Sequence, residues 1–263
     1  MTIAITLFLH ILSAVYPHHT EKINVAPRAD TIPAGAAKLI KSYPDVVAGF
    51  ADNHLLFKDH SRLLWNDGIS NKSPEELLAN PDLEDMFLQV YPKGTLPSPP
   101  AKNADPGRTR NEPFFTKMYG ASAAEVRKNL TSITWCPDLV GQQIMVTKVN
   151  GVDKQLMQIS KELDKHPEWK DYLRNIGGTF AWRDINGTNR HSMHSFGMTI
   201  DINTKYTDYW QWSCRCTNEQ ARVVYKNRIP QGIVDIFEKY GFIWGGKWYH
   251  FDTMHFEYRP ELL

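Results

Sequence analysis

Two stretches in the C-terminal half decide how this chain is read: His191-Ser-Met-His194-Ser-Phe-Gly197-Met-Thr-Ile-Asp201-Ile-Asn203 and Trp244-Gly-Gly-Lys-Trp248-Tyr-His250-Phe-Asp252-Thr-Met-His255-Phe-Glu257. In the first, Met198 to Ile202 has the character of a strand, and Asp201 sits between two isoleucines. A carboxylate in an apolar strand is costly unless it is paired or bound to a cation. His194 precedes it by seven positions. On a straight strand the two would lie roughly 20 Å or more apart, at about 3.3 Å per residue. They can face one point only if the chain folds back between them, and Gly197 has the backbone freedom for that bend. The second stretch adds Asp252 and, three residues later, His255. Imidazole nitrogen and carboxylate oxygen are zinc donors, and a catalytic zinc site keeps three protein ligands and one open position. It also needs a base beside the water that attacks. Taken singly, Asp201 reads better as a solvent-facing or Arg-paired strand residue, and Asp-x-x-His better as a surface pair.

Taken together the two stretches say more. Ser192-x-His194-x-x-Gly197-x-x-x-Asp201, followed roughly fifty residues later by Asp252-x-x-His255, resembles the zinc D-alanyl-D-alanine carboxypeptidase family. That family also includes dipeptidases and phage-type L-alanyl-D-glutamate endopeptidases. The Trp244-Gly-Gly-x-Trp248 run and Met254-His255-Phe256-Glu257 strengthen the likeness, which covers about Gly177 to Tyr258 and leaves out the N-terminal half. Met198 and Thr199 depart from it, since relatives often carry a small residue there.

The resemblance implies one zinc ion held by His194, Asp201 and His255, with Asp252 as general base. It also implies an arginine upstream of the first motif that aids turnover. Arg183, in Trp182-Arg183-Asp184, fits best, and Arg190 is the second candidate. Ser192 either hydrogen-bonds substrate or a ligand, or caps its loop. Glu257 lies two positions beyond His255 on the same strand face. It reads as the acceptor behind a metal ligand, with the role of base as its alternative. His191 and His250 do not fit the family spacing, and Asp184 and Asn203 read as turn or strand-end residues.

The implied reaction is metal-assisted hydrolysis of a peptide bond, and the implied partners are peptidoglycan stem peptides. Both a D-Ala-D-Ala carboxypeptidase and an L-Ala-D-Glu endopeptidase fit this pattern. A zinc-containing module that binds cell-wall peptides without turnover is the alternative, and the presence of Asp252 beside His255 argues against it. A zinc hydrolase of a non-peptide amide is a further reading.

The rest of the sequence sets the context. The chain has 263 residues with ordinary globular composition, and its formal net charge of +1 offers no large field to attract nucleic acid. The apolar run Ile3 to Val15 is too short for a bilayer about 30 Å thick. It suits the core of a secretory signal with cleavage near Ala14, although no Lys or Arg precedes Lys22. The expectation is therefore export to the periplasm or cell envelope with no stable membrane span. Cys214 and Cys216 are too close in sequence to bond each other easily, so one of them is expected to pair with Cys136 after export, the alternative being three reduced thiols.

Residues 1–26 read as signal peptide and tether. Residues 27–113 form an N-terminal region ending in a linker rich in proline (Pro92, Pro97, Pro99, Pro100, Pro106, Pro113), and residues 114–263 form the catalytic domain. The alternative for the linker is that it wraps the catalytic domain and brings Arg108 and Arg110 near its groove. Residues 48–67 read as short strands and turns, and Ser73-Pro74-Glu75-Glu76 as a helix start. Val152, Leu156, Ile159 and Leu163 make one helical face, as do Ile233, Ile236, Phe237 and Tyr240 between Pro230 and Gly241. Residues 143–149, 179–183, 198–202 and 248–258 read as strands. The predicted fold class is α+β: a central antiparallel sheet with flanking helices holding a single zinc site, plus an N-terminal extension.

Overall fold

A computed structural model describes residues 31–263, so the leader and tether expected over residues 1–26 lie outside the described residues. Residues 32–263 form one compact unit. It opens with helix α1 (Ala34–Ser42) and an antiparallel meander of β1 (Val47–Ala51), β2 (His54–Phe57) and β3 (Arg62–Leu64). Asp52 and Asn53 join β1 to β2 with positive φ, the backbone that a two-residue hairpin needs. Helix α2 (Pro74–Ala79) starts at a capping box of Ser73 and Glu76, where the sequence places it.

After a Pro-rich segment without helix or strand come α3 (Glu112–Tyr119), α4 (Ala123–Lys128), the hairpin β4 (Leu130–Trp135)–β5 (Gln142–Thr147), α5 (Val152–Leu163) and α6 (Lys170–Leu173). Then follow β6 (Ile176–Gly178), β7 (Thr199–Asn203), α7 (Trp210–Cys214), α8 (Gln231–Lys239), β8 (Phe242–Trp244) and β9 (His255–Tyr258). The last four strands make an antiparallel sheet in the order β6-β7-β9-β8. The architecture is thus mixed helix and strand, with small antiparallel sheets.

The periodic helices form as the sequence indicates. Helix α5 buries Val152, Leu156, Ile159 and Leu163. Helix α8 buries Ile233, Val234 and Phe237, and Gly241 follows it at φ +87°. Phe237 stacks on Phe256 of β9 with ring centroids 3.8 Å apart, so α8 backs the sheet beneath the site. The core cluster runs from Ala36 to Tyr258 and joins side chains from both halves of the chain. Near the N-terminal end of the unit, the Tyr43 hydroxyl donates to Glu261 (2.6 Å).

Two strand expectations need correction. Residues 179–183 are not a strand: the Thr179 carbonyl and the Ala181 N–H both bond His194, so their hydrogen bonds go to a turn rather than a sheet neighbour. In 248–258 only 255–258 pair in the sheet. There the Tyr249 N–H donates to the Ala104 carbonyl (2.8 Å) and the His250 N–H to Asp105 (2.9 Å), which ties this loop to the Pro-rich segment.

The cysteine expectation is also overturned. Cys214 bonds Cys216, and Cys136 is a buried free thiol. Arg215 between them takes the left-handed conformation (φ 54°, ψ 40°), which doubles the chain back and leaves the two Cα atoms 5.2 Å apart. Burial, followed by the charge of Asp164, pushes the Cys136 thiol up to about 12.

The Pro-rich segment lies within the compact unit and is fastened to it by side chains. Glu238 accepts from the Tyr91 hydroxyl and the Gly94 N–H (2.7 Å each), and the Trp248 indole donates to the Pro106 carbonyl (2.7 Å). The ammonium of Lys247, buried against Glu238, bonds the carbonyls of Pro92 and Gly94.

Candidate metal centre

Sheet register brings two of the three expected ligands together. Asp201 on β7 and His255 on β9 are direct cross-strand partners, although 54 positions separate them. His194 sits in a single 3-10 turn, Met193–Phe196, which ends at Gly197 with φ 66°. That left-handed residue reverses the chain and lets β7 run back past His194. A Cβ on Gly197 would stand 2.8 Å from Leu130, so both conformation and space select glycine. Donor atoms of His194, Asp201 and His255 all lie within 4.8 Å of one another.

Proton positions on the two rings follow from their outer partners. His194 Nδ1 lies 3.1 Å from the Thr179 carbonyl, which can only accept, so Nδ1 carries the proton. Its Nε2 lone pair then faces Asp201 Oδ2 at 3.1 Å. The distance suits an ion pair, yet the buried Nε2 has no directed hydrogen-bond partner among the described residues. His255 Nε2 lies 3.3 Å from Glu257 Oε2, and its Nδ1 lies 3.0 Å from Asp201 Oδ1. When Nε2–H donates to Glu257, Nδ1 too offers a lone pair. Two lone pairs and a carboxylate aimed at one another repel unless a proton or a cation lies between them.

The titration shifts have the same origin. Burial alone would raise Asp201, but His194 and His255 hold it well below the usual carboxylate range. Burial alone would lower His255, but Asp201 and Glu257 raise it to about 10. A dipositive ion is the other way to satisfy this set, and two imidazoles with one carboxylate are donors that suit zinc.

Asp252 stands beside these three. Its Oδ1 is buried without a partner among the described residues. Burial, then the negative charge of Asp201, push its carboxyl up to about 7. Its backbone is held by N–H donation to the Gly245 carbonyl (3.0 Å) and by a bridge to Tyr209. A Cβ on Gly245 would come within 2.5 Å of the Asp252 carbonyl, which is why the Trp-Gly-Gly run packs there. Glu257 is fully buried, with the guanidiniums of Arg110 and Arg259 on its two oxygens.

The remaining candidates separate clearly. Ser192 caps the 3-10 turn, accepting from the His194 N–H at 3.4 Å, so its hydroxyl is engaged in shaping the ligand turn. The backbone of Arg183 is tied to the same turn: its N–H donates to Ser195 Oγ (3.0 Å), and its carbonyl accepts from the Ser192 N–H (3.0 Å). Arg183 is exposed, and among the described residues its side chain bonds only the Asp184 carbonyl (3.4 Å). The half-buried Arg190 is pushed down to about 10 by burial and by the neighbouring charges of Arg110 and Arg108. His191 bonds Asp184 (2.6 Å), and His250 bonds Asp105 (2.6 Å) and the Glu219 carbonyl (2.9 Å), so both are engaged outside the ligand cluster. Asn203 caps the following turn and bonds the Asp171 carbonyl (2.7 Å).

Sequence reasoning did not find Thr179, whose carbonyl orients His194, or Arg259. Thr179 acts through a turn that only the fold forms, whereas Arg259 sits two positions beyond Glu257, the same strand-face spacing that links Glu257 to His255, and could have been found by it. The alternative reading of the Pro-rich stretch, as a wrap that carries arginines to the groove, matches the contact of Arg110 with Glu257.

Two imidazoles, one carboxylate and a buried carboxyl with a raised pKa are donors and a base that could serve metal-assisted hydrolysis. Residues 186–258, which include His194, Asp201, Asp252 and His255, match a family described as D-alanyl-D-alanine carboxypeptidase. The segment that carries the site is thus similar to the D-alanyl-D-alanine carboxypeptidases, and the match begins after Arg183. Searches of curated proteins and of solved structures gave no match.

Proposed function

We propose that this chain is a zinc metallopeptidase that hydrolyses peptide bonds in bacterial cell-wall stem peptides. One observation carries the reading: inside the family-matched segment, two imidazole lone pairs and the Asp201 carboxylate face one another within 4.8 Å, next to a buried and unpartnered Asp252 oxygen. The fold gives His194 and His255 an outer acceptor each, which supports reading their rings as ligands. His194, Asp201 and His255 would hold the zinc ion, which when bound would supply Lewis acidity and a more acidic water.

The chain's own residues do the rest. Asp252 takes a proton from the attacking water and passes it to the leaving amine. Its raised pKa suits both halves of that task near neutral pH. Arg183, with its backbone pinned to the ligand turn and its guanidinium exposed, stabilises the oxyanion as it forms. Ser192 holds the His194 turn in shape. The substrate is a D-Ala-D-Ala or L-Ala-D-Glu bond of a stem peptide, and the place of action is the periplasm or cell envelope. No helix among the described residues is long and apolar enough to cross a membrane.

The test is mass analysis of purified muropeptides incubated with zinc-loaded protein. Products split at one stem-peptide bond are expected, and their masses identify that bond. Zinc-loaded protein that binds muropeptides and leaves every one intact would instead favour a binding module.

A further inference from the structure

We propose that Arg110 is a positioning residue of the metal centre: from a segment outside the matched family region, it holds Glu257 and, through Glu257, the ring of His255. The inference rests on the metal reading above. Arg110 lies 147 positions from Glu257 in sequence, at the end of the Pro-rich segment. Its Nη2 donates to Glu257 Oε2 at 2.6 Å, and its Nε lies 3.1 and 3.2 Å from the two carboxylate oxygens. Arg259 Nη1 donates to Oε1 at 3.0 Å. With His255 Nε2 at 3.3 Å, these donors occupy the lone-pair sites a carboxylate has. Glu257 is therefore an acceptor only, and His255 must donate Nε2–H and present Nδ1 toward Asp201.

Arg259 cannot replace Arg110. It is fully buried and also serves Glu261 and the Gly107 carbonyl. Without Arg110, two buried carboxylates, Glu257 and Glu261, would share one guanidinium. A buried carboxylate that loses one of its donors is no longer held in place, and His255 then loses its fixed acceptor. The approach of Arg110 is itself directed: its guanidinium lies over the Trp248 ring, 5.5 Å from the centroid, and the Trp248 indole is anchored on the Pro106 carbonyl. The aromatic run before His255 and the Pro-rich segment thus act together on one metal ligand. Lysine would keep the charge but could not span both oxygens or lie flat on the indole.

The experiment measures zinc affinity of the full chain by competition with a chromophoric chelator. It also records the visible spectrum of the cobalt(II)-substituted protein, which reports ligand geometry. The variants are Arg110→Ala, Arg110→Lys and, as a remote ion-pair control, Lys239→Ala. Arg110→Ala is expected to weaken zinc about 10–100-fold and to alter the cobalt spectrum. Arg110→Lys should fall between it and wild type, and Lys239→Ala should match wild type in both readouts. A folded Arg110→Ala protein with wild-type zinc affinity and cobalt spectrum overturns the proposal, whatever its melting temperature. Should that variant fail to fold, Arg110→Lys decides by the same two readouts. A wild type that takes up neither metal removes the metal reading and this inference with it, whereas normal binding by wild type and both Arg110 variants removes this inference alone.

Discussion

Asp252 and Glu257 are two buried carboxyls five positions apart, and their surroundings drive them to opposite states. Burial would raise Glu257, but Arg110, His255 and Arg259 hold it well below the usual carboxylate range. Asp252 has no guanidinium partner among the described residues, and burial and then Asp201 push it up to about 7. Carboxyls separated in this way take different tasks. Asp252→Asn should keep its zinc and lose about 10²–10⁴-fold in turnover, the usual size of a general-base contribution. Glu257→Gln should instead weaken zinc by about 10–100-fold. Zinc content measured beside peptide hydrolysis separates the two. A near wild-type rate for Asp252→Asn, with a dead but zinc-bound Glu257→Gln, would mean that their roles are exchanged. The pH dependence follows from the same residue. A base must be deprotonated to act, so activity is present above its pKa and lost as pH falls through it. A bound cation pulls that value down from about 7. The acid limb of kcat/KM is therefore expected at or below about pH 7 and should disappear in Asp252→Asn. A rate that rises as the pH falls would contradict the assignment.

At the scale of elements, the site depends on two strands in register and one tight turn. The pairing of Asp201 with His255 follows from the antiparallel ladder of β7 and β9, and a slip of one residue would turn one ligand to the opposite face. Gly197 sets the turn that carries His194. Gly197→Ala forces an L side chain into φ +66° against Leu130, so it should destabilise the fold by about 1 kcal/mol or more. Urea denaturation of the zinc-free protein measures this, and a midpoint equal to wild type would count against the turn's role. This turn was legible in the sequence, because a histidine and an aspartate in one short segment need a glycine between them to meet. The strand boundaries were less so. Residues 179–183 and 248–254 have strand-like composition, but their hydrogen bonds go to the ligand turn and to the Pro-rich segment. The cysteine pairing was misread for a related reason: a left-handed arginine, which sequence does not announce, closes the 214–216 turn. Peptide mapping without reduction should find Cys214 and Cys216 oxidised within one peptide and Cys136 as a free thiol. A cross-linked peptide containing Cys136 would contradict this.

At the scale of the whole molecule, the candidate ligands in the family-matched segment are backed by Arg110 from far outside it. The cluster of His194, Asp201 and His255 with Asp252 beside it, and the helices beside the sheet, could be read from the sequence because each is a local pattern: Ser192-x-His194-x-x-Gly197, Asp252-x-x-His255, or apolar residues at helical spacing. The support of Glu257 by Arg110, and the bond of Tyr43 to Glu261, join positions that only the finished fold brings together. The central claim is a single zinc centre at His194, Asp201 and His255. Its most direct test is zinc-edge X-ray absorption of the purified full chain, with His255→Ala as comparison. The expected result is one zinc per chain in wild type, with two imidazole nitrogens and oxygen ligands at about 2.0–2.2 Å, and no ordered zinc in His255→Ala. A wild type without stoichiometric zinc, or a sulfur ligand near about 2.3 Å, would contradict the account.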